Sequence, residues 1–189
     1  PKGLQDELLE KVKKASIDYE IEDEREQGRK IRVEFEGELR PEQDKALKEL
    51  TKYDNGILHA ATAFGKTVVS SAIIAQKKVN TLIILESSAL IEQWEDALNK
   101  FLSINEELPT YKTKTGRTKT RKNLIGTLQG AHDSMTGIVD IAMAGSLYKK
   151  NEYHQLLNQY GLIIVDECHH AASETIANVL KEVKAKYVY

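Results

Sequence analysis

A single cysteine, Cys168, leaves no partner for an internal disulfide, so no covalent bond staples this fold. That usage suits a reducing cytosol, and a cytoplasmic location is expected. No apolar run approaches the ~20 residues that a membrane-spanning helix needs. No N-terminal segment has the make-up of a signal peptide. The chain opens at Pro1 rather than at a methionine, as a processed or excised piece would. What it does have is enough length, 189 residues, for one well-buried domain with an appendage. A hydrophobic fraction of 41% and a charged fraction of 30% fit a soluble globular protein.

A net charge of −2 hides an uneven distribution. Residues 1–38 carry twelve acidic and eight basic side chains. Residues 108–132 carry six basic ones, Lys112, Lys114, Arg117, Lys119, Arg121 and Lys122, and no acidic one. Such a run is either a solvated loop or a patch that attracts a phosphate backbone.

Leu4, Leu8, Leu9 and Val12 recur at helical spacing. Ile17, Tyr19 and Ile21 alternate with polar residues, as do Ile31, Val33 and Phe35 beyond a turn at Gln27-Gly28. Helix, strand, strand is the reading for residues 1–38, a unit too short to hold a core alone. From residue 39 the texture changes. Pro41 opens a helix in LRPEQDKALKEL. GILHA (56–60) predicts a short strand and KTVVSSAIIAQK (66–77) an apolar helix. NTLIIL (80–85) predicts a buried strand and ALIEQWEDALNKFL (89–102) an amphipathic helix, with Trp94 in its core face. GIVDIAMA (137–144) predicts a strand, YKKNEYHQLLNQ a helix, LIIV (162–165) a strand, SETIANVLKEV a helix and KYVY a last strand. Strands alternating with helices make a parallel sheet covered on both faces, an α/β fold. Residues 103–136 lack clear periodicity. Alternating Thr and Lys in YKTKTGRTKT predict an exposed hairpin with Gly116 near its turn.

Two stretches carry chemistry. AATAFGKT (60–67) fits the second half of the phosphate-loop pattern with Gly65, Lys66 and Thr67, while Ala60 stands where a first glycine belongs. Between a strand and a helix, such a loop offers backbone N–H groups and the helix dipole to phosphate. Lys66 adds a point charge, the Thr67 hydroxyl suits Mg²⁺, and Gly65 lets the backbone approach closely. The competing reading is an ordinary helix start that contains G-K-T. In LIIVDECHH (162–170) an apolar strand ends in Asp166 and Glu167. Parallel-sheet enzymes place their sites at that end of a strand. Asp166 can hold Mg²⁺ and Glu167 can orient and deprotonate a water. A zinc site from Cys168, His169 and His170, or a solvated turn, are the competing readings. His59 reads as an interior histidine.

Together these motifs resemble those of superfamily 2 helicases and translocases, the DEAD/DEAH-like ATPases, with DECH as a variant. ATAFGKT resembles motif I and DECHH motif II. LRPEQ resembles the segment before motif I, LIILESSALIEQW motif Ia, and VDIAMAGSL a later motif near nucleic acid. The resemblance covers residues 39–189 and points to the branch of type III restriction helicase subunits and XPB-like repair helicases. It implies a RecA-like phosphate-loop domain with a small N-terminal α+β extension over 1–38. It implies ATP and Mg²⁺ as cofactors, held by Thr62, Ala63, Phe64, Gly65, Lys66 and Thr67, with Arg40 and Gln43 at the adenine, Thr67 and Asp166 at the metal, and Lys66, Asp166 and Glu167 catalytic. Ser87, Ser88 and Ser146 are then expected near nucleic acid, with the six basic residues of 112–122; both Ser87 and Ser88 also suit a helix cap.

Motif I of the family commonly carries a glycine where Ala63 stands. If that position needs φ > 0, alanine costs roughly 1 kcal/mol or more. The motif that follows the last strand in the family is absent, so the chain is expected to be the first motor domain, truncated, whose partners are DNA rather than RNA and a second RecA-like domain. The expected function is the ATP-binding motor domain of a helicase or translocase. A phosphate-loop small-molecule kinase, or a non-catalytic nucleic-acid-binding module, are the alternatives.

Overall fold

The computed structural model describes residues 5–113, 115–149, 152–167 and 174–189. The helices are α1 (Gln5–Lys14), α2 (Pro41–Leu50), α3 (Lys66–Lys77), α4 (Leu90–Phe101), α5 (Ala144–Leu147) and α6 (Glu174–Glu182). The strands are β1 (Val33–Phe35), β2 (Thr81–Leu85), β3 (Leu102–Ile104), β4 (Thr110–Lys112), β5 (Thr118–Thr120), β6 (Ile125–Gln129), β7 (His132–Asp133), β8 (Val139–Met143), β9 (Tyr148–Lys149), β10 (Glu152–Tyr153), β11 (Leu162–Val165) and β12 (Tyr187–Val188). A 3₁₀ turn covers Leu157–Gln159.

The main sheet has the order β12-β11-β2-β8-β6-β7. Its first five strands are parallel and β7 turns back antiparallel on β6, so the sheet is mixed at that edge. β2 is buried along its whole length, as a strand covered on both faces must be. Ile83 and Leu85 face one core layer with Val69 and Ile73 of α3 and Trp94 and Leu98 of α4. Leu82 and Ile84 face the other layer with Leu147, Tyr160, and Ile176 and Val179 of α6. The spacing of Ile91, Trp94 and Leu98 puts all three on the buried stripe of α4.

Several elements depart from expectation. Residues 56–60 form no strand; the chain just before them makes an isolated Asn55–Val188 bridge, with Gly56 N–H donating to the Val188 carbonyl at 3.1 Å. β12 offers only two residues, so no longer ladder forms, and His59 is exposed rather than interior. No strand forms over 17–21; Ile17 and Ile21 are 59% and 54% exposed, because the chain that follows pairs elsewhere. β1 takes β3 of the main body as its antiparallel partner, and Glu26 and Lys30 bridge to Ala185 and Val79. The helix expected from Tyr148 is replaced by the β9–β10 pair, in which Tyr148 and Tyr153 lie opposite with ring centroids 4.8 Å apart. β3, β6 and β7 lie in the stretch where no periodicity was legible. The hairpin in YKTKTGRTKT is present as β4–β5, with Gly116 at φ +77° in its turn.

β6 sits where it does because of a buried carboxylate. Asp140 of β8 is fully buried and accepts hydrogen bonds from Thr136 N–H (2.8 Å) and Oγ1 (3.0 Å), Gly137 N–H (2.7 Å) and the Tyr160 hydroxyl (2.6 Å). Burial pushes its pKa up, and those donors pull it back. A side chain on Gly126 of β6 would meet Asp140 Oδ1 at 2.3 Å, so only glycine lets the two strands pair there. Asp140→Asn turns an NH₂ toward donors and leaves buried groups unmatched, at a cost of about 1–3 kcal/mol. Urea unfolding is expected to show that loss; an unchanged midpoint would mean that the carboxylate is not needed as a four-way acceptor.

Candidate functional site

The loop before α3 is built from two left-handed residues, Ala63 at φ +64° and Gly65 at φ +86°. Phe64 N–H closes the turn on the Ala61 carbonyl at 3.2 Å, and Val68 and Val69 return to the Gly65 carbonyl. The amides that open α3 have no partner within their own helix, which is what gives a helix N-terminus its affinity for anions. Thr62 and Ala63 are exposed, and Gly65, Lys66 and Thr67 are half-buried. Gly65 has no room for a side chain: an added Cβ would stand 2.5 Å from Gln43 Nε2. The Thr67 carbonyl accepts the Ser71 hydroxyl at 2.9 Å, which stiffens the first turn of α3.

The carboxylates come from the end of β11. Asp166 N–H continues the parallel ladder by donating to the Ile84 carbonyl at 3.2 Å. Asp166 Oδ1 then accepts Glu167 N–H at 2.9 Å, which supports Glu167 in a left-handed conformation, φ +53°. Asp166 Oδ2 accepts the indole N–H of Trp94 at 2.8 Å. Across the gap, Lys66 Nζ lies 3.4 Å from Glu167 Oε1. Two motifs 101 residues apart therefore meet as a cation facing a carboxylate pair. They line a cavity of about 370 Å³ whose other walls include Leu58, His59, Ile73, Trp94 and Tyr189.

Arg40 and Gln43 reach the same loop from behind. The Gln43 side chain is buried; its Oε1 accepts Arg40 N–H at 2.9 Å and its Nε2 donates to the Phe64 carbonyl at 2.8 Å. The Arg40 guanidinium donates to that same carbonyl and pairs with Glu42 at 2.8 Å. Both side chains brace the loop that carries Ala63 and Gly65. The residue that sequence reasoning left in the core is Trp94. It is 1% exposed, yet its polar edge ends on Asp166. A buried indole N–H needs an acceptor, and that requirement was the available signal.

The expected nucleic-acid residues are more dispersed. Ser87 and Ser88 are exposed in the turn after β2; their carbonyls accept Leu90 and Ile91 N–H at 3.2 Å each, and neither hydroxyl caps α4. Ser146 Oγ accepts Gly130 N–H at 2.9 Å, and Lys149 donates to the Gly130 carbonyl, so both secure the β6–β7 loop. Lys112, Arg117, Lys119 and Lys122 are exposed on the hairpin and at its base. Arg121 is not: its side chain is 17% exposed, stacks 4.2 Å from the Tyr111 ring and donates to the Asp133 carbonyl at 2.9 Å. It ties the hairpin to β7, the sheet edge opposite β12. Lys114, and the zinc alternative at Cys168, His169 and His170, lie outside the described residues. Among the described residues no group of His, Cys, Asp and Glu could hold a metal alone, and no helix is long and apolar enough to cross a membrane.

A phosphate loop opposed by a carboxylate pair at the carboxyl edge of a parallel sheet defines the RecA-like motor domain of superfamily 2 helicases and translocases. The chain belongs to the family of the type III restriction enzyme res subunit, whose profile matches residues 36–188. It is 34% identical over 137 residues to the DNA 3'-5' translocase XPB2 of Sulfurisphaera tokodaii, covering 72% of this chain and 26% of that protein. It is 28% identical over 183 residues to the putative helicase 109L of Invertebrate iridescent virus 3, covering 94% of this chain and 52% of that protein. The chain thus spans about a quarter and about half of these two relatives. Its fold is similar to the UvsW helicase from bacteriophage T4, with a TM-score of 0.63 and 16% identity over 98% of this chain and 68% of that one. It is also similar to the Sulfolobus solfataricus SWI2/SNF2 ATPase core in complex with dsDNA, with a TM-score of 0.58 and 17% identity over 82% and 31% of the two chains.

Position 63 does need φ > 0, so its alanine is strained. Ala63→Gly is expected to raise stability by roughly 1 kcal/mol, because glycine adopts this conformation without a Cβ clash. Urea unfolding of both chains measures it. A loss of stability would mean that residue 63 is not left-handed in solution.

Proposed function

We propose that this chain binds Mg²⁺-ATP and serves as the nucleotide-binding half of an ATP-dependent helicase or translocase that acts on DNA. The approach of Lys66 to Glu167 carries the reading: it opposes an anion-binding helix start to hard oxygen donors across one cavity. The donor set suits the expected cofactor. Loop amides and Lys66 fit a polyphosphate, while the Thr67 hydroxyl and the Asp166 carboxylate fit Mg²⁺. Bound Mg²⁺ supplies charge neutralisation at the phosphates. Lys66 would grip the terminal phosphates and Glu167 would orient a water and take its proton, while Arg40 and Gln43, which the resemblance gives to the adenine, hold the loop at Phe64. Likeness to a DNA translocase and to an ATPase core in complex with dsDNA favours DNA as the track. Ser87, Ser88, Ser146 and the exposed hairpin lysines would then lie along that track, with residues 1–38 as an extension beside the motor domain.

Nucleotide binding is the first test. Lys66→Ala is expected to abolish calorimetric binding of ATP and ADP. Equal affinities of the two chains would reject the reading. Salt dependence tests the track. Lys112, Lys119 and Lys122 are each replaced by Ala. Every lysine that pairs with a DNA phosphate is expected, once replaced, to flatten the logarithmic salt slope of binding by about one unit. Arg121→Ala would instead loosen the hairpin. An unchanged slope in the triple variant would remove the hairpin from the interface.

Turnover is expected to need a second motor domain. The arginine that touches the loop, Arg40, is engaged with Phe64 and Glu42. An arginine delivered from another domain contributes on the order of 10³–10⁵ in turnover in related phosphate-loop enzymes. Phosphate release by the 189-residue chain is therefore expected to be slow with or without single-stranded DNA. Fast, DNA-stimulated release abolished by Glu167→Gln would show that this chain hydrolyses ATP unaided.

A further inference from the structure

We propose that Trp94 is a positioning residue for the metal-binding carboxylate, holding Asp166 through its indole N–H; this rests on the nucleotide reading above. Trp94 lies in the middle of α4, on the stripe that packs against the core, and is 1% exposed. Apolar packing alone does not require an indole there, since a phenyl ring also fills such a place. What the indole adds is one buried donor, and a buried donor without an acceptor is costly. The acceptor is Asp166 Oδ2, at 2.8 Å.

The other oxygen of Asp166 is held as well, by the Glu167 amide at 2.9 Å. One donor on each oxygen fixes the rotation of the carboxylate plane and leaves further lone pairs on both oxygens for other partners. The Glu167 donor is local and belongs to the strained turn itself. The Trp94 donor comes from a different element, 72 residues away in sequence, and that element is anchored in the core. A group held this way reaches its ligand without paying to be ordered first, which is what outer partners do for metal-binding side chains generally. Both side chains also line the cavity between the loop and β11, so Trp94 stands at the site and not behind it.

The chain has only one tryptophan, so all of its indole emission comes from this position. The experiment uses the full 189-residue chain and its Trp94→Phe variant. ADP affinity is measured by calorimetry in EDTA and again in Mg²⁺, and the gain on adding Mg²⁺ is compared. Trp94→Phe is expected to keep the EDTA affinity and to lose about 10- to 100-fold from the Mg²⁺-dependent gain, the usual effect of removing an outer partner. A residue that only packs would weaken both affinities alike or neither. On the unsubstituted chain, Mg²⁺-ADP is expected to change the emission of Trp94 and ADP in EDTA is not; on the Asp166→Asn chain, Mg²⁺-ADP is expected to leave it unchanged. This second arm decides the matter if Trp94→Phe fails to fold. An undiminished Mg²⁺ gain in a folded variant, or emission indifferent to Mg²⁺-ADP, overturns the role given to Trp94 while leaving ADP binding intact. Absence of ADP binding by the unsubstituted chain in either medium overturns the nucleotide reading, and this one with it.

Discussion

Parallel pairing of β11 with β2 is the constraint on which the site depends. In a parallel sheet every strand ends at the same edge, and each return crosses a face through a helix or a long connection. The register Val165–Ile84, prolonged by Asp166 N–H to the Ile84 carbonyl, stops the ladder where the carboxylates begin. The same edge receives the Ser87–Ser88 turn after β2 and Ser146 soon after β8. The loop before α3 arrives there too, because residues 54–56 run beside β12, which is paired to β11 on its other side. Placing the loop strand one position away from β11 leaves a gap between Lys66 and Glu167 wide enough for a cavity, and short enough for a 3.4 Å approach.

Buried polar groups hold that edge from the opposite side of the sheet. Asn80 precedes β2; its amide donates to the Gly137 and Gln159 carbonyls, and its oxygen accepts Arg29 and Gly161 N–H. One side chain thus sets the starts of three neighbouring segments. Asp140 does the same for β8 and β6. Every buried side-chain nitrogen and oxygen among the described residues has a partner, so these groups rigidify the sheet rather than weaken it. Glu106 adds a surface counterpart: Arg32 N–H and the Arg29 guanidinium hold its carboxyl below the usual range and tie the early chain to the segment after β3.

Much of this was legible in the residues. Long apolar runs fixed by burial on two faces, such as Thr81–Leu85 and Leu162–Val165, admit few alternatives, and the two chemical motifs follow from residue type and spacing. The failures lie where partners decide. Tyr148–Lys149 and Glu152–Tyr153 are too short for periodicity to decide; the strand over Val33–Phe35 was legible from its alternation, but its partner, Leu102–Ile104, lies in distant chain. β6 reads weakly because Gly126 and Thr127 answer to Asp140 and Ser134, partners that only the folded chain reveals. Gln43 and Trp94 were placed correctly on their helices, but their polar ends find Phe64 and Asp166 only after the sheet has formed. Backbone position was readable; the destination of a single donor was not.

Left-handed strain is present in both motifs; among the described residues Ser16 and Lys78 share that conformation elsewhere. Ala63 and Glu167 are both non-glycine residues in the left-handed region, one in each motif, and each such residue costs of order 1–3 kcal/mol. Each is held by hydrogen bonds from outside its own turn. Gln43 and Arg40 fasten Phe64, the residue after Ala63, and Trp94 fastens Asp166, the residue before Glu167. These fasteners sit on α2 and α4, two helices on the same face of the sheet, with α3 packed against both. A shift of either helix against α3 therefore acts directly on one strained turn, and the core that resists such a shift is what keeps both turns in place.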